Sequence, residues 1–206
     1  MRARGADPGP SVEQAVSLYA AGYFPMDDPA EERNPLPFYA AERRAVLELD
    51  GASRGALRRR LRRSLRAGEE HDWRLVRDAH FEEVLRACAR PREPGDGVWI
   101  TPRLQRLYRR LHEAGLAHTF EIHAGDELAA GLIGVLLGRA AMLESMFHTI
   151  PHAGNVLLAR TLDDLADRGY ALCDIQLPTE HTTRLGARLV ARAEYESRLR
   201  AALSAA

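Results

Sequence analysis

The sequence predicts an α/β (α+β) protein, with a small irregular N-terminal domain over residues 1–70 and a larger domain over 71–206 built on a central, mostly antiparallel sheet. Three observations carry this expectation. Proline and glycine crowd the first third, whereas from Trp73 onward apolar residues recur at helix and strand spacings. Two strand-like stretches, His118 to His123 and Leu128 to Leu137, flank the turn Ala124-Gly125-Asp126-Glu127, a hairpin signal. The elements then run strand, helix, helix, hairpin and strand, helix, strand, helix, an order suited to helices packed on one sheet.

In chain order, the first nine residues are rich in Gly, Pro and Arg and are expected to be loose. Ser11 with Gln14 three residues on has capping-box spacing, which predicts a helix over 12–21 ending before Gly22. Pro25, Pro29, Pro35 and Pro37 leave 23–44 mostly loop, ahead of a short strand over 45–49 and an arginine-rich helix over 52–67. A strand at 73–76 and a helix from Phe81 to Ala89 follow, then a Gly/Pro loop from Pro91 to Gly97. Thr101 as N-cap and Pro102 at the first helical position start a helix reaching Ala114. After the hairpin come a strand from Ala140 to Met146 that should pair with it, a helix over 155–168 and a strand over 170–177. A helix over 193–203 closes the chain, and no internal repeat is apparent.

Composition narrows the function classes. The 29 Arg balance 29 Asp+Glu, and 46% of residues are hydrophobic, so the chain is globular and does not coat nucleic acid by net charge. The longest apolar run stops at Arg139, short of the ~20 residues a membrane-spanning helix needs. Met1 to Pro8 has no apolar region behind its arginines, so no secretory signal is predicted. Cys88 and Cys173 are too few for a disulfide framework or a cysteine metal site, and a reducing, cytoplasmic setting is expected.

The charge balance conceals one run. Arg54 to Arg66 holds seven arginines and no acid. It reads either as a solvated helix face over the core stripe Leu57, Leu61, Leu65 or as a phosphate-binding helix, and both can hold for one helix.

Polar groups interrupt two strands. Period-2 alternation puts Asp174 and Gln176 on one face with Cys173, Ile175 and Leu177 on the other, and Glu144 breaks the apolar stretch 140–147. A single such acid is ordinarily a strand end or half of an ion pair. Three polar groups on neighbouring strands cost several kcal/mol unless they bind something or each other, by rough estimate. The histidines give no metal spacing: His148 and His152 are four apart, but Pro151 lies between them. Ser145 is not in a nucleophile elbow, no glycine loop cradles phosphate, and Cys88 and Cys173 read as core.

Together these strings resemble the leucyl/phenylalanyl-tRNA-protein transferase family. The resemblance runs from Leu18-Tyr19-Ala20-Ala21-Gly22-Tyr23-Phe24-Pro25-Met26 to about Tyr195. It includes Arg44-Ala45-Val46-Leu47, Arg63-Ser64-Leu65-Arg66, Phe81-Glu82-Glu83-Val84, Trp99-Ile100-Thr101-Pro102, Glu144-Ser145-Met146-Phe147, Asp174-Ile175-Gln176, and His181 with Leu185-Gly186-Ala187. Each is weak alone, while their order and spacing are specific. The resemblance implies an acetyltransferase-like second domain and a cytoplasmic monomer with neither cofactor nor metal. It implies an enzyme that moves Leu or Phe, with Met as a further candidate, from aminoacyl-tRNA to the N-terminal Arg or Lys of a protein, marking it for degradation.

By the same resemblance Gln176 would hold the incoming amine, and Asp174 would orient Gln176 or accept the proton. Glu144 would fix the basic acceptor end, Met146 and Leu132 would line the side-chain pocket, and Trp99 would stack there. Arg58, Arg59, Arg62, Arg63 and Arg66 would grip tRNA phosphates. Phe38 and Tyr39 stand where the family has a tryptophan pair and would serve the substrate pockets. Other departures are Leu143 for the usual Gly, His148 to Asn155 for a serine-rich stretch, and Arg184 for Ser. The alternatives are the same chemistry with another donor or acceptor, an acyl-CoA N-acetyltransferase, or a non-catalytic tRNA-binding relative. No pyrophosphate-binding loop favours the acetyltransferase, and the Asp174/Gln176 pair speaks against the non-catalytic relative.

Overall fold

The computed structural model describes residues 9–31, 35–91 and 97–205. The expectations for residues 1–8 and for the loop over 92–96 lie outside these residues.

Helix α1 (Val12–Ala20) opens with the expected box: the Gln14 N–H donates to Ser11 Oγ at 3.2 Å, and the Ser11 N–H donates to Gln14 Oε1 at 2.8 Å. The proline-rich stretch is not all loop. It contains a two-residue antiparallel pair, β1 (Phe24–Pro25) with β2 (Phe38–Tyr39), before β3 (Arg43–Leu47). Asp27 pins this stretch to the rest by accepting from Arg103 Nε at 2.7 Å and from the Thr101 hydroxyl.

The arginine-rich segment is two helices, α2 (Gly51–Arg60) and α3 (Arg62–Glu70), hinged at Leu61. Asp50 caps the first by accepting the Ala52 and Ser53 N–H groups at 2.9 and 3.0 Å. Leu57, Leu61 and Leu65 are all buried, so the predicted stripe survives the break.

Next come β4 (Arg74–Arg77), α4 (Phe81–Cys88), α5 (Pro102–Glu113), β5 (Ala117–Ala124), β6 (Glu127–Leu137) and β7 (Ala140–His148). The chain closes with α6 (Ala153–Asp167), β8 (Leu172–Asp174), α7 (Glu180–Leu185), β9 (Arg188–Ala191) and α8 (Arg192–Ser204). The short α7 and β9 have no counterpart in the sequence reading, since neither is long enough to show a period.

A seven-stranded sheet runs in the order β4-β5-β6-β7-β8-β3-β9. Every neighbouring pair is antiparallel except β7 with β8. Strand β3, from the first seventy residues, lies between β8 and β9, so one sheet draws strands from both sides of position 70. Helices α1, α4, α5 and α8 bury their apolar faces on one side of the sheet, and α2, α3 and α6 on the other. Strand β6 is buried on both faces beyond Glu127, which is why its sequence is an apolar run rather than an alternation. Among the described residues no helix is long and apolar enough to cross a membrane.

Candidate active site

The one parallel pair creates the opening. Strand β8 pairs with β7 only through Ala140↔Leu172, Ala141↔Cys173 and Met142↔Asp174. Beyond Met142, β7 continues toward His148 with no strand partner on that side among the described residues, while the chain after Asp174 turns away along β3. The expected strand over 170–177 therefore stops early, because Gln176 takes φ 56°, a left-handed conformation that costs a non-glycine residue on the order of 1–3 kcal/mol. Such strain concentrates at functional positions, where surrounding contacts over-determine the backbone.

Those contacts come from Asp174. Its carboxylate, fully buried, accepts the Gln176 backbone N–H at 2.8 Å and the Tyr195 hydroxyl at 2.8 Å. It also pairs with the Arg44 guanidinium, whose Nε lies 3.3 Å from Oδ1 and whose Nη2 bonds Oδ2. Arg44, itself 1% exposed, sits 4.6 Å from the Phe24 ring centroid and 4.5 Å from that of Tyr195, and donates to the Gly22 carbonyl at 3.1 Å. Burial, then the Asp174 charge, raises the Tyr195 hydroxyl well above its ordinary range. Asp174 thus stands behind the site with its oxygens already engaged.

Glu144 reaches the opening by a different device. Ile133 pairs with Ser145 and Gly134 with Leu143, which leaves Glu144 as the extra residue of a β-bulge. Bulges re-aim side chains and are frequent beside active sites. The Tyr19 hydroxyl donates to Glu144 Oε1 at 2.8 Å. Burial pushes the Glu144 carboxyl up to about 8, with the Asp174 charge adding, against the Tyr19 hydrogen bond and the Arg44 charge. The acid therefore keeps its proton to higher pH than an exposed glutamate does.

Between these groups lies a cavity of about 800 Å³, within the usual range for small-molecule sites. Leu47, Leu132, Leu143, Met146, Leu158 and Ile175 form apolar wall, and Glu144, Asn155 and Gln176 supply polar groups. His148, His152 and His181 also border it, as do Cys88 at the end of α4 and Arg90 just after it. Gln176 is 7% exposed, and its buried side-chain Nε2 has no hydrogen-bond partner among the described residues.

The structure brings Leu132, Glu144, Met146 and Gln176 to one cavity, with Asp174 behind it. It does not bring Trp99, Phe38 or Tyr39 there. Trp99 packs half-buried against the core layer of α1, α4 and α5, next to the anchored start of α5. Phe38 packs edge-on to Tyr19 with centroids 5.9 Å apart, one layer behind Glu144, and Tyr39 is exposed beside Phe24.

The arginine-rich helices abut the cavity. Ser64 Oγ lies 3.1 Å from His152 Nδ1 and accepts from Asn155 Nδ2 at 3.2 Å, and both partners line the cavity wall. Arg58 pairs with Asp163 at 2.7 Å and Arg66 with Glu70 at 2.8 Å. Arg59, Arg62 and Arg63 are exposed and have no acidic partner among the described residues. Tyr19, Arg44, Tyr195 and the Ser64–His152–Asn155 group were not singled out as site residues in the sequence reading. Arg44 and Tyr19 carry no local signal of meeting carboxylates 130 and 125 positions away, nor Tyr195 of meeting one 21 positions back.

Comparison with known proteins places the chain in a family. The profile of the family described as leucyl/phenylalanyl-tRNA protein transferase matches residues 48–200. A leucyl/phenylalanyl-tRNA–protein transferase of Anaeromyxobacter dehalogenans is 43% identical over 192 residues, 93% of this chain and 78% of that protein. One of Synechococcus sp. is 40% identical, covering 90% of this chain and 91% of its own. One of Caulobacter vibrioides is 39% identical over 94% of this chain and 86% of its own. Among solved structures, FemX superposes with a TM-score of 0.55 at 12% identity, over 86% of this chain and 66% of its own, a likeness of fold. On the profile match and these identities, the chain belongs to the leucyl/phenylalanyl-tRNA–protein transferase family.

Proposed function

We propose that this protein transfers Leu or Phe from aminoacyl-tRNA to the N-terminal Arg or Lys of an acceptor protein, acting as a cytoplasmic monomer and marking the acceptor for degradation. The observation that carries the reading is the cleft where β7 and β8 part, with Glu144 on one lip and, on the other, a strained Gln176 whose side-chain Nε2 has no partner among the described residues. The reaction is aminolysis of an activated ester. The acceptor α-amine attacks the acyl carbonyl, the C–N bond forms, the bond to the ribose oxygen breaks, and the amine's proton ends on that ribose hydroxyl. Such a step needs an oriented, deprotonated amine in a dry site more than a covalent nucleophile.

Gln176 Oε1 accepts from the incoming amine. Asp174, held by Arg44 and Tyr195, is a positioning residue that locks the Gln176 backbone. Glu144 meets the cationic acceptor side chain, whose arrival favours the ionised carboxylate. Leu132, Leu143 and Met146 take the Leu or Phe side chain, Met adapting to either shape. Arg59, Arg62 and Arg63 offer free charge beside the cavity, suited to the phosphates of an acceptor stem.

The test is transfer of radiolabelled Leu, Phe and Met from charged tRNA to a peptide beginning with Arg, beside the same peptide beginning with Ala. Label from Leu or Phe on the Arg peptide alone is expected. Transfer to both peptides, or from another donor only, points to the same chemistry with different specificity. No transfer despite tRNA binding overturns the catalytic reading.

A further inference from the structure

We propose that His80, Glu121 and His123 form a divalent-metal site of zinc type at the start of α4, remote from the cavity and independent of the transfer reaction. The three lie on two elements and their ligand atoms fall within 4.8 Å of one another. Glu121 Oε2 stands 3.2 Å from His80 Nδ1 and 3.0 Å from His123 Nε2. Ligands 2.0–2.2 Å from a tetrahedral zinc are roughly 3.3 Å apart, so both spacings suit one shared ion with small adjustments. Two imidazoles and a carboxylate are an ordinary zinc donor set that leaves a fourth position for water.

The second observation is how firmly the carboxylate is aimed. Glu121 is fully buried, and its other oxygen is occupied: Oε1 accepts the His80 backbone N–H at 2.9 Å and the Thr119 hydroxyl at 2.7 Å. Only Oε2 remains to face the two rings. Outer hydrogen bonds of this kind orient ligands and raise metal affinity.

The turn carrying His80 is equally constrained. Asp78, at φ 56°, accepts the Thr119 N–H at 2.7 Å and donates its own N–H to the Thr119 carbonyl at 3.1 Å. His123 lies opposite a bulge in β6, where Ala129 is the extra residue between the Ile122↔Ala130 and His123↔Leu128 pairs. The His80 side chain is 49% exposed and that of His123 15%, so an ion has a path in from solvent. Binding ties the first turn of α4 to β5. Because Cys88 at the other end of α4 borders the cavity, the ion braces one wall of the site without entering it.

The experiment titrates Zn²⁺ into the untagged full chain, freed of metal by chelator, with calorimetry and elemental analysis. One zinc per chain is expected, together with a higher melting temperature in zinc. His80→Gln and His123→Gln should each weaken binding at least about tenfold and abolish the melting shift. The His80 ring is half in solvent, so its variant should keep the unfolding midpoint of the metal-free protein. No stoichiometric zinc overturns the proposal. Wild-type affinity in both variants does so too, by moving the ion to the histidines at the cavity.

Discussion

Replacing Glu144 with Gln should make the protein more stable at alkaline pH and leave it almost unchanged at acid pH. In the native fold the carboxyl lies at about 8, against an ordinary value of 4.5. Between those limits the folded state holds a proton that the unfolded chain has released, so stability falls as pH rises and the loss is complete above about 8. At about 1.4 kcal/mol per pH unit, this gap sets a ceiling of about 5 kcal/mol. The side chain borders an open cavity, where water screens its charge, so we expect about 2 kcal/mol. Gln keeps the acceptor oxygen for the Tyr19 hydroxyl while removing the ionisation. The assay is urea unfolding of wild type and variant at intervals from pH 5 to 9, reading the difference between them so that the other titrating groups cancel. A difference that stays constant across that range would refute the placement of a desolvated acid at the bulge.

Three further outcomes follow from the same geometry. Arg44→Met leaves the Asp174 carboxylate buried and unpaired and should lower unfolding free energy by about 3–5 kcal/mol; a loss below about 1 kcal/mol in urea would mean the pair is not formed. Gln176→Gly relieves the left-handed backbone, so the urea midpoint should hold or rise by up to about 1 kcal/mol while peptide transfer is lost; a destabilised variant would place Gln176 in a structural role. Replacing Arg59, Arg62 and Arg63 with Ala should flatten the log–log salt dependence of tRNA binding by about 2 or more, measured by filter retention. An unchanged slope would leave the run as a solvated face.

Much of the scaffold was readable locally. The Ser11–Gln14 box, the Thr101–Pro102 helix start, the Leu57, Leu61, Leu65 stripe and the hairpin into β6 depend on neighbours a few residues apart, and all are present. Misreadings arose where tertiary contacts override local pattern. Alternation carried the strand over 170–177 past Asp174 because it cannot register the positive φ at Gln176. A continuous arginine pattern concealed the break at Leu61. At the site, Glu144, Asp174 and Gln176 stood out because polar residues interrupted strands. Their supports did not: Arg44 meets Asp174 across 130 positions, and Tyr19 meets Glu144 across 125. His80 and Glu121, 41 positions apart, have no spacing that a motif could capture. Trp99, Phe38 and Tyr39 entered through resemblance rather than pattern, and their distance from the cavity depends on packing that the chain's order does not reveal.

The insertion of β3 between β8 and β9 also bears on how the molecule is made. Ala45, Val46 and Leu47 are buried, yet both hydrogen-bonding partners of their strand lie in the last forty residues. During synthesis this sticky segment must wait, unpaired, for nearly the whole polypeptide to emerge. Closure over so long a loop favours slow folding and a need for protection from aggregation in the interval. It also ties assembly of the Arg44–Asp174 pair to the arrival of the final strands, so a prematurely terminated product lacks the support beneath Gln176 and is left as a target for quality control.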